Sequence, residues 1–132
     1  MLGKFQSSQL RIEIKASEKV LAQSLLNTEE LGKWFFPLKL EKKISKNLTT
    51  GLKFKSYVGF VEINHEVESI GDNCLRLILS KGIDGYQEWC WGDGWIQSTL
   101  EGVSLLPLNL GQTLNLLRFR EYVKSKSSEL NT

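Results

Sequence analysis

The chain has a single histidine among its 132 residues, His65. That excludes a metal centre built on several imidazoles and any catalysis by paired histidines. Cys74 and Cys90 are the only cysteines, too few for a disulfide-dense scaffold. They are expected to be small buried apolar residues, with a disulfide as the alternative. Cys90 sits between Trp89 and Trp91 with no basic neighbour, which points to an inert thiol. No run of about 18 apolar residues exists to span a membrane. Met1 to Leu10 lacks the apolar core of a signal peptide, so a cytoplasmic location is expected. Charge is nearly balanced, with 17 basic against 15 acidic residues and a net charge of +2. No nucleic-acid partner is expected from so even a balance. Gly92-Asp93-Gly94 lacks the strand–loop–helix context of a phosphate loop. Gly102-Val103-Ser104 is too little to make a nucleophile elbow.

What is present reads as one folded domain over 1–132, with an ordered core at about 8–125. The composition is 41% hydrophobic and 24% charged, which suits a globular core rather than disorder. In Gln9 to Lys15, Leu10, Ile12 and Ile14 alternate with Arg11, Glu13 and Lys15, a strand with one wet face. Ser17 is placed to cap a helix from Glu18 to Leu25, and Asn27 with Glu30 has capping-box spacing for a second, Thr28 to Trp34. Pro37 ends it.

A strand-rich stretch follows. It alternates through Leu38, Leu40 and Ile44, then Leu52 to Val58, Val61 to Glu68 and Leu75 to Ser80. Lys81 to Gly85 holds two glycines and an aspartate and is expected to be a loop. Tyr86 to Trp91 and Trp95 to Val103 are the last strands, joined by the Gly92-Asp93-Gly94 turn. After Pro107 the spacing becomes helical, with Leu110, Leu114 and Leu117 on one stripe. Gln112, Leu116, Phe119 and Val123 form a second, on roughly the opposite side. The tail from Ser125 to Thr132 is polar and expected to fray. The basic cluster Lys39, Lys42, Lys43 and Lys46 reads as a solvated edge. The order strand, two helices, about six strands and a long helix predicts an α+β fold. Its curved antiparallel sheet should wrap around the C-terminal helix.

Ile14-Lys15-Ala16-Ser17-Glu18-Lys19-Val20 and Leu31-Gly32-Lys33-Trp34-Phe35-Phe36-Pro37, followed by Gly51-Leu52-Lys53-Phe54, resemble segments of the START-like, or SRPBCC, superfamily. Polyketide cyclase/dehydrase-type proteins and homologues of the heat-shock chaperone ATPase activator are the nearest in kind. The resemblance covers nearly the whole chain. It implies a helix-grip fold with a deep apolar cavity between sheet and final helix. It implies a small hydrophobic or amphipathic ligand; the residues themselves give no reason to expect a metal or a cofactor. The residues expected to hold that ligand are Trp34, Phe35, Phe54, His65, Leu77, Trp89, Trp91, Leu114 and Leu117. Placing Leu114 and Leu117 inside leaves the second stripe to another element or to a second copy, as in a homodimer.

Several readings stay open at this level. His65 shares the inner parity of Ile63 and Val67, either as a core histidine with a partner or as a polar anchor in the cavity. Trp89 and Trp91 are either core or pocket wall, and Trp34, Phe35 and Phe36 are either the mouth or a plug between helix and sheet. On the last strand, inward Leu100 makes Glu101 a surface charge; the opposite parity makes Glu101 a candidate acid. The leading function is non-catalytic binding of the apolar molecule. The alternatives are a protein-interaction module (a chaperone cofactor or assembly factor, with Trp34 among its exposed candidates) and a cyclase- or dehydrase-like enzyme.

Overall fold

The computed structural model describes residues 3–130, without the side chains of 127–130. A strand β1 (Lys4–Glu13) leads into helices α1 (Glu18–Leu26) and α2 (Thr28–Trp34). Then come β2 (Lys39–Leu40), β3 (Lys53–Val58), β4 (Val61–Gly71), β5 (Cys74–Lys81), β6 (Ile83–Gly92) and β7 (Trp95–Ser104). Helix α3 (Leu108–Leu130) closes the chain. The strands form one antiparallel sheet in the order β1-β7-β6-β5-β4-β3-β2, so every neighbour but β1 is also adjacent in sequence. The fold is the expected helix-grip arrangement.

The short helices start where the side chains dictate. The hydroxyl of Ser17 accepts from the Val20 N–H at 3.3 Å, and Asn27 Oδ1 accepts from the Glu30 N–H at 3.0 Å. Each satisfies one of the donors a helix start leaves open. The sheet alternates as one-sided sheets do. On β7, Ile96, Ser98 and Leu100 are buried while Glu101 turns outward.

Four expectations are corrected. Residues 81–85 are not a loop: β5 turns into β6 at Gly82. The glycines serve close packing instead, since a Cβ on Gly85 would lie 1.9 Å from the Glu101 carbonyl oxygen. The strand through Leu38, Leu40 and Ile44 stops at Leu40. The polar tail is helical as far as Leu130, and Asn131 and Thr132 lie outside the described residues. Finally, Cys74 and Cys90 face each other across β5 and β6 and form a disulfide, with Cα atoms 4.2 Å apart. Both are only half-buried. Disulfides are rare in the cytosol, so the cysteines lend no support to the cytoplasmic expectation.

The orientation of α3 also differs from the expectation. The stripe that packs on the sheet is Leu108, Gln112, Asn115, Leu116, Phe119 and Val123. It cannot serve as a dimer surface, because its own domain covers it. Leu110 and Leu117 point outward, 55% and 42% exposed. Two polar residues face inward because their amide donors are bonded there. Gln112 Nε2 donates to the Ser98 carbonyl at 2.8 Å and hydroxyl at 2.9 Å, while its Oε1 accepts from Ser8 Oγ at 2.6 Å. Asn115 Nδ2 donates to the carbonyls of Phe35 and Phe36 at 2.8 and 2.7 Å. Further along, Tyr122 and Lys126 of α3 both bond Glu30 of α2. Burial alone would raise the Glu30 carboxyl, but these two partners outweigh it and hold it below the usual carboxylate value.

Candidate functional site

The sheet and α3 do not mesh completely. Between them lies a cavity of about 200 Å³. Its sheet side is built from the inward residues of five strands: Val58, Ile63, Leu79, Ile83, Gln87 and Leu100. From α3, Leu108, Gly111, Leu114 and Asn115 form the roof. Pro37, Leu38, Leu106 and Pro107 come from the connecting segments that flank it. Strand alternation explains the sheet side, because each of these residues has the buried parity of its strand. Gly111 is where the roof recedes: a Cβ there would meet nothing within 4 Å.

His65 is the singular residue of this wall. It is 2% exposed, and its ring lies parallel to Phe54 at 4.6 Å between centroids. Its Nε2 is 2.7 Å from the Ser56 hydroxyl on the neighbouring strand. Burial pushes the imidazole from its ordinary 6.5 down to about 3, because a charge there would be stripped of water. The ring is therefore neutral, with one nitrogen a donor and the other an acceptor. Its Nδ1 is buried without a hydrogen-bond partner, and among the described residues no other side chain lining the cavity has such an atom. The amide donors of Gln112 and Asn115 are already engaged.

Of the residues expected in the site, His65 and Leu114 line the cavity. Phe54 supports His65 from behind. Trp34 is not exposed: it is fully buried, edge-on to Phe119 at 4.8 Å, Trp89 at 5.6 Å and Phe35 at 5.7 Å. Its indole N–H donates to the Ser24 carbonyl at 2.9 Å. Trp34, Phe35 and Trp89 thus form the plug beneath α2. Leu77 and Trp91 are also buried away from the cavity wall, and Leu117 is on the outer side of α3. Glu101 accepts from the Tyr86 hydroxyl on the outer face of the sheet, which raises the Tyr86 pKa. No carboxylate lines the cavity among the described residues. Gln87 and Asn115 went unrecognised in the sequence, for a polar residue shows no inward signal until its partners are placed.

No family model matches the chain, and no curated protein matches its sequence. Solved structures do match its shape. CV1439 from Chromobacterium violaceum superposes with a TM-score of 0.70 at 14% identity, covering 88% of this chain and 96% of that one. CalU16 from Micromonospora echinospora gives 0.67 at 13%, over 93% and 79%. The Aha1 dimer from Colwellia psychrerythraea gives 0.63 at 17%, over 88% and 94%. DynU16, described as belonging to the dynemicin biosynthetic locus, gives 0.68 at 15% over 91% of this chain. The present chain spans about half, 48%, of its length. At these identities the likeness establishes the fold alone: a curved antiparallel sheet gripping a long C-terminal helix.

Proposed function

We propose that the chain binds a small, mostly apolar molecule carrying one uncharged polar group, held in the cavity between the sheet and α3. The observation that carries this reading is the cavity itself, about 200 Å³ left open between the sheet and α3 and lined mainly by aliphatic side chains. Gln87 and Asn115 also line the cavity, and since buried polar atoms are nearly always paired, they favour a ligand with a single hydroxyl or carbonyl. Size narrows the ligand. An apolar cavity of about 150 Å³ accepts benzene, so about 200 Å³ suits a single-ring or short-chain molecule and is too small for a sterol. A neutral imidazole and the lack of a lining carboxylate favour a neutral ligand, since a charge would be costly there. The same two features speak for binding over acid–base catalysis, because a base held near 3 is far from the useful range at neutral pH.

Native mass spectrometry of gently purified protein tests this reading. A co-purifying small molecule that is retained by the unaltered chain and lost from Leu114→Trp, whose indole would occupy the roof, supports it. Retention of the same molecule by Leu114→Trp would move the binding site elsewhere.

A further inference from the structure

Among the described residues seven large apolar side chains are exposed, and five of them gather at one end of the molecule: Phe5, Phe36, Phe60, Leu105 and Leu110. The backbone fixes that grouping. Phe60, 97% exposed, caps the β3–β4 hairpin. The next residues of β4 meet the β5–β6 turn, where the Gly82 N–H donates to the Glu62 carbonyl at 2.8 Å. The Gly82 carbonyl in turn accepts from Ser104 Oγ at 2.7 Å, and Leu105, 80% exposed, follows directly. Lys4 and Phe5 pair with Ser104 and Val103. Leu110 and the Pro37 segment complete the ring, and both border the cavity.

Pro37 and Leu38 also form one wall of a second, open groove of about 950 Å³. Lys33, Lys39, Lys42, Lys46 and Arg118 line it, against the carboxylates Glu29 and Glu41. None of these five cations is in an ion pair among the described residues. The Arg118 guanidinium lies over the ring of exposed Phe36, 5.4 Å from its centroid.

We infer that this end of the molecule docks on a bilayer containing anionic lipid, with Phe60, Leu105 and Phe36 entering the interface and the groove lysines meeting headgroups. Concentrated apolar exposure marks an interaction surface. Three features favour a membrane over a second copy. The apolar groups project separately from a hairpin, two connections, a strand end and the start of α3 rather than from one flat face, and such projections enter a deformable interface more readily than a matching surface. Unpaired cations stand among them, complementary to anionic headgroups but repulsive toward an identical copy. The cavity borders this end, so a docked bilayer would present apolar molecules beside it.

The test spins the full-length protein with vesicles of phosphatidylcholine containing roughly one third phosphatidylserine. It should pellet at low salt, be released as salt is raised, and stay in solution with phosphatidylcholine alone. Phe60→Ser combined with Leu105→Ser should lower partitioning by roughly tenfold; neither residue lines the cavity, so ligand retention should be unchanged. Lys39→Glu combined with Arg118→Glu should have a similar effect on partitioning without changing the melting temperature. Failure to pellet at low salt, equal pelleting with phosphatidylcholine alone, or unchanged partitioning of either double variant would overturn the inference. So would a solution dimer that Phe60→Ser with Leu105→Ser dissociates, which would assign this end to a second copy. Pelleting and ligand retention are separate readouts, so this inference and the proposed function fail separately.

Discussion

His65 and Ser56 meet diagonally across adjacent strands, with the imidazole Nε2 2.7 Å from the hydroxyl, in a part of the sheet where both are buried. The ring is neutral when folded and titrates near 3, against 6.5 for an ordinary histidine. Because the folded value is the lower one, the unfolded chain takes up the proton first as pH falls. The stability that a neutral His65 provides is therefore complete above about 6.5 and declines from there towards about 3. Urea unfolding should show a loss of about 2 kcal/mol between pH 7 and pH 5. The double variant His65→Leu with Ser56→Ala should lose most of that slope, whatever its absolute stability.

Gln112 binds the sheet to α3 through Ser98 and Ser8. Gln112→Ala removes its bonds to the Ser98 hydroxyl and carbonyl and to the Ser8 hydroxyl, leaving Ser98 Oγ only the longer 3.2 Å bond from Gln87, so it should destabilise by about 1–3 kcal/mol in denaturant titration. Gln112→Glu keeps the shape but loses the amide donor to Ser98 and buries a charge, and should be at least as damaging.

Phe119 and Trp34 pack edge-to-face at 4.8 Å, both fully buried. Phe119→Ala empties the centre of the aromatic plug and should cost about 3–5 kcal/mol. Thermal unfolding checks the loss of stability, and the near-ultraviolet dichroism of the indoles should weaken with it.

The disulfide between Cys74 and Cys90 closes a segment with a sequence separation of 16. Loop-closure entropy for that length predicts about 3 kcal/mol of stabilisation. Cys74→Ser with Cys90→Ser should lose an amount of that order. A reductant should lower the melting temperature of the unaltered chain and leave the double variant unaffected.

Much of the architecture was legible in the sequence because it rests on local rules. Ser17 and Asn27 cap the helices that their spacing announced, whereas alternation on β7 allows either parity, and only the packed sheet buries Leu100 and turns Glu101 out. The face of α3 was not legible. Both of its stripes carry leucines, and the buried one includes Gln112 and Asn115, which look like surface residues until Ser98, Phe35 and Phe36 are placed beside them. The cysteine pairing was hidden by register. Cys74 and Cys90 each lie eight residues from Gly82, a relation visible only once that glycine is the turn rather than part of a five-residue loop. Trp34 and Phe35 carry the same apolar signal in a mouth as in a plug, and only their packing on Trp89 and Phe119 separates the two.

The most direct measurement is a methyl-resolved NMR titration of the protein, stripped of any bound molecule, with para-cresol, a single ring with one neutral hydroxyl. Saturable shifts should concentrate on the methyls of Ile63, Leu79, Ile83, Leu100 and Leu114 and on the His65 ring, and Leu114→Trp should abolish them. An unsaturable response, or shifts spread over the outer face of the sheet with these methyls unmoved, would contradict a receptor cavity beneath α3.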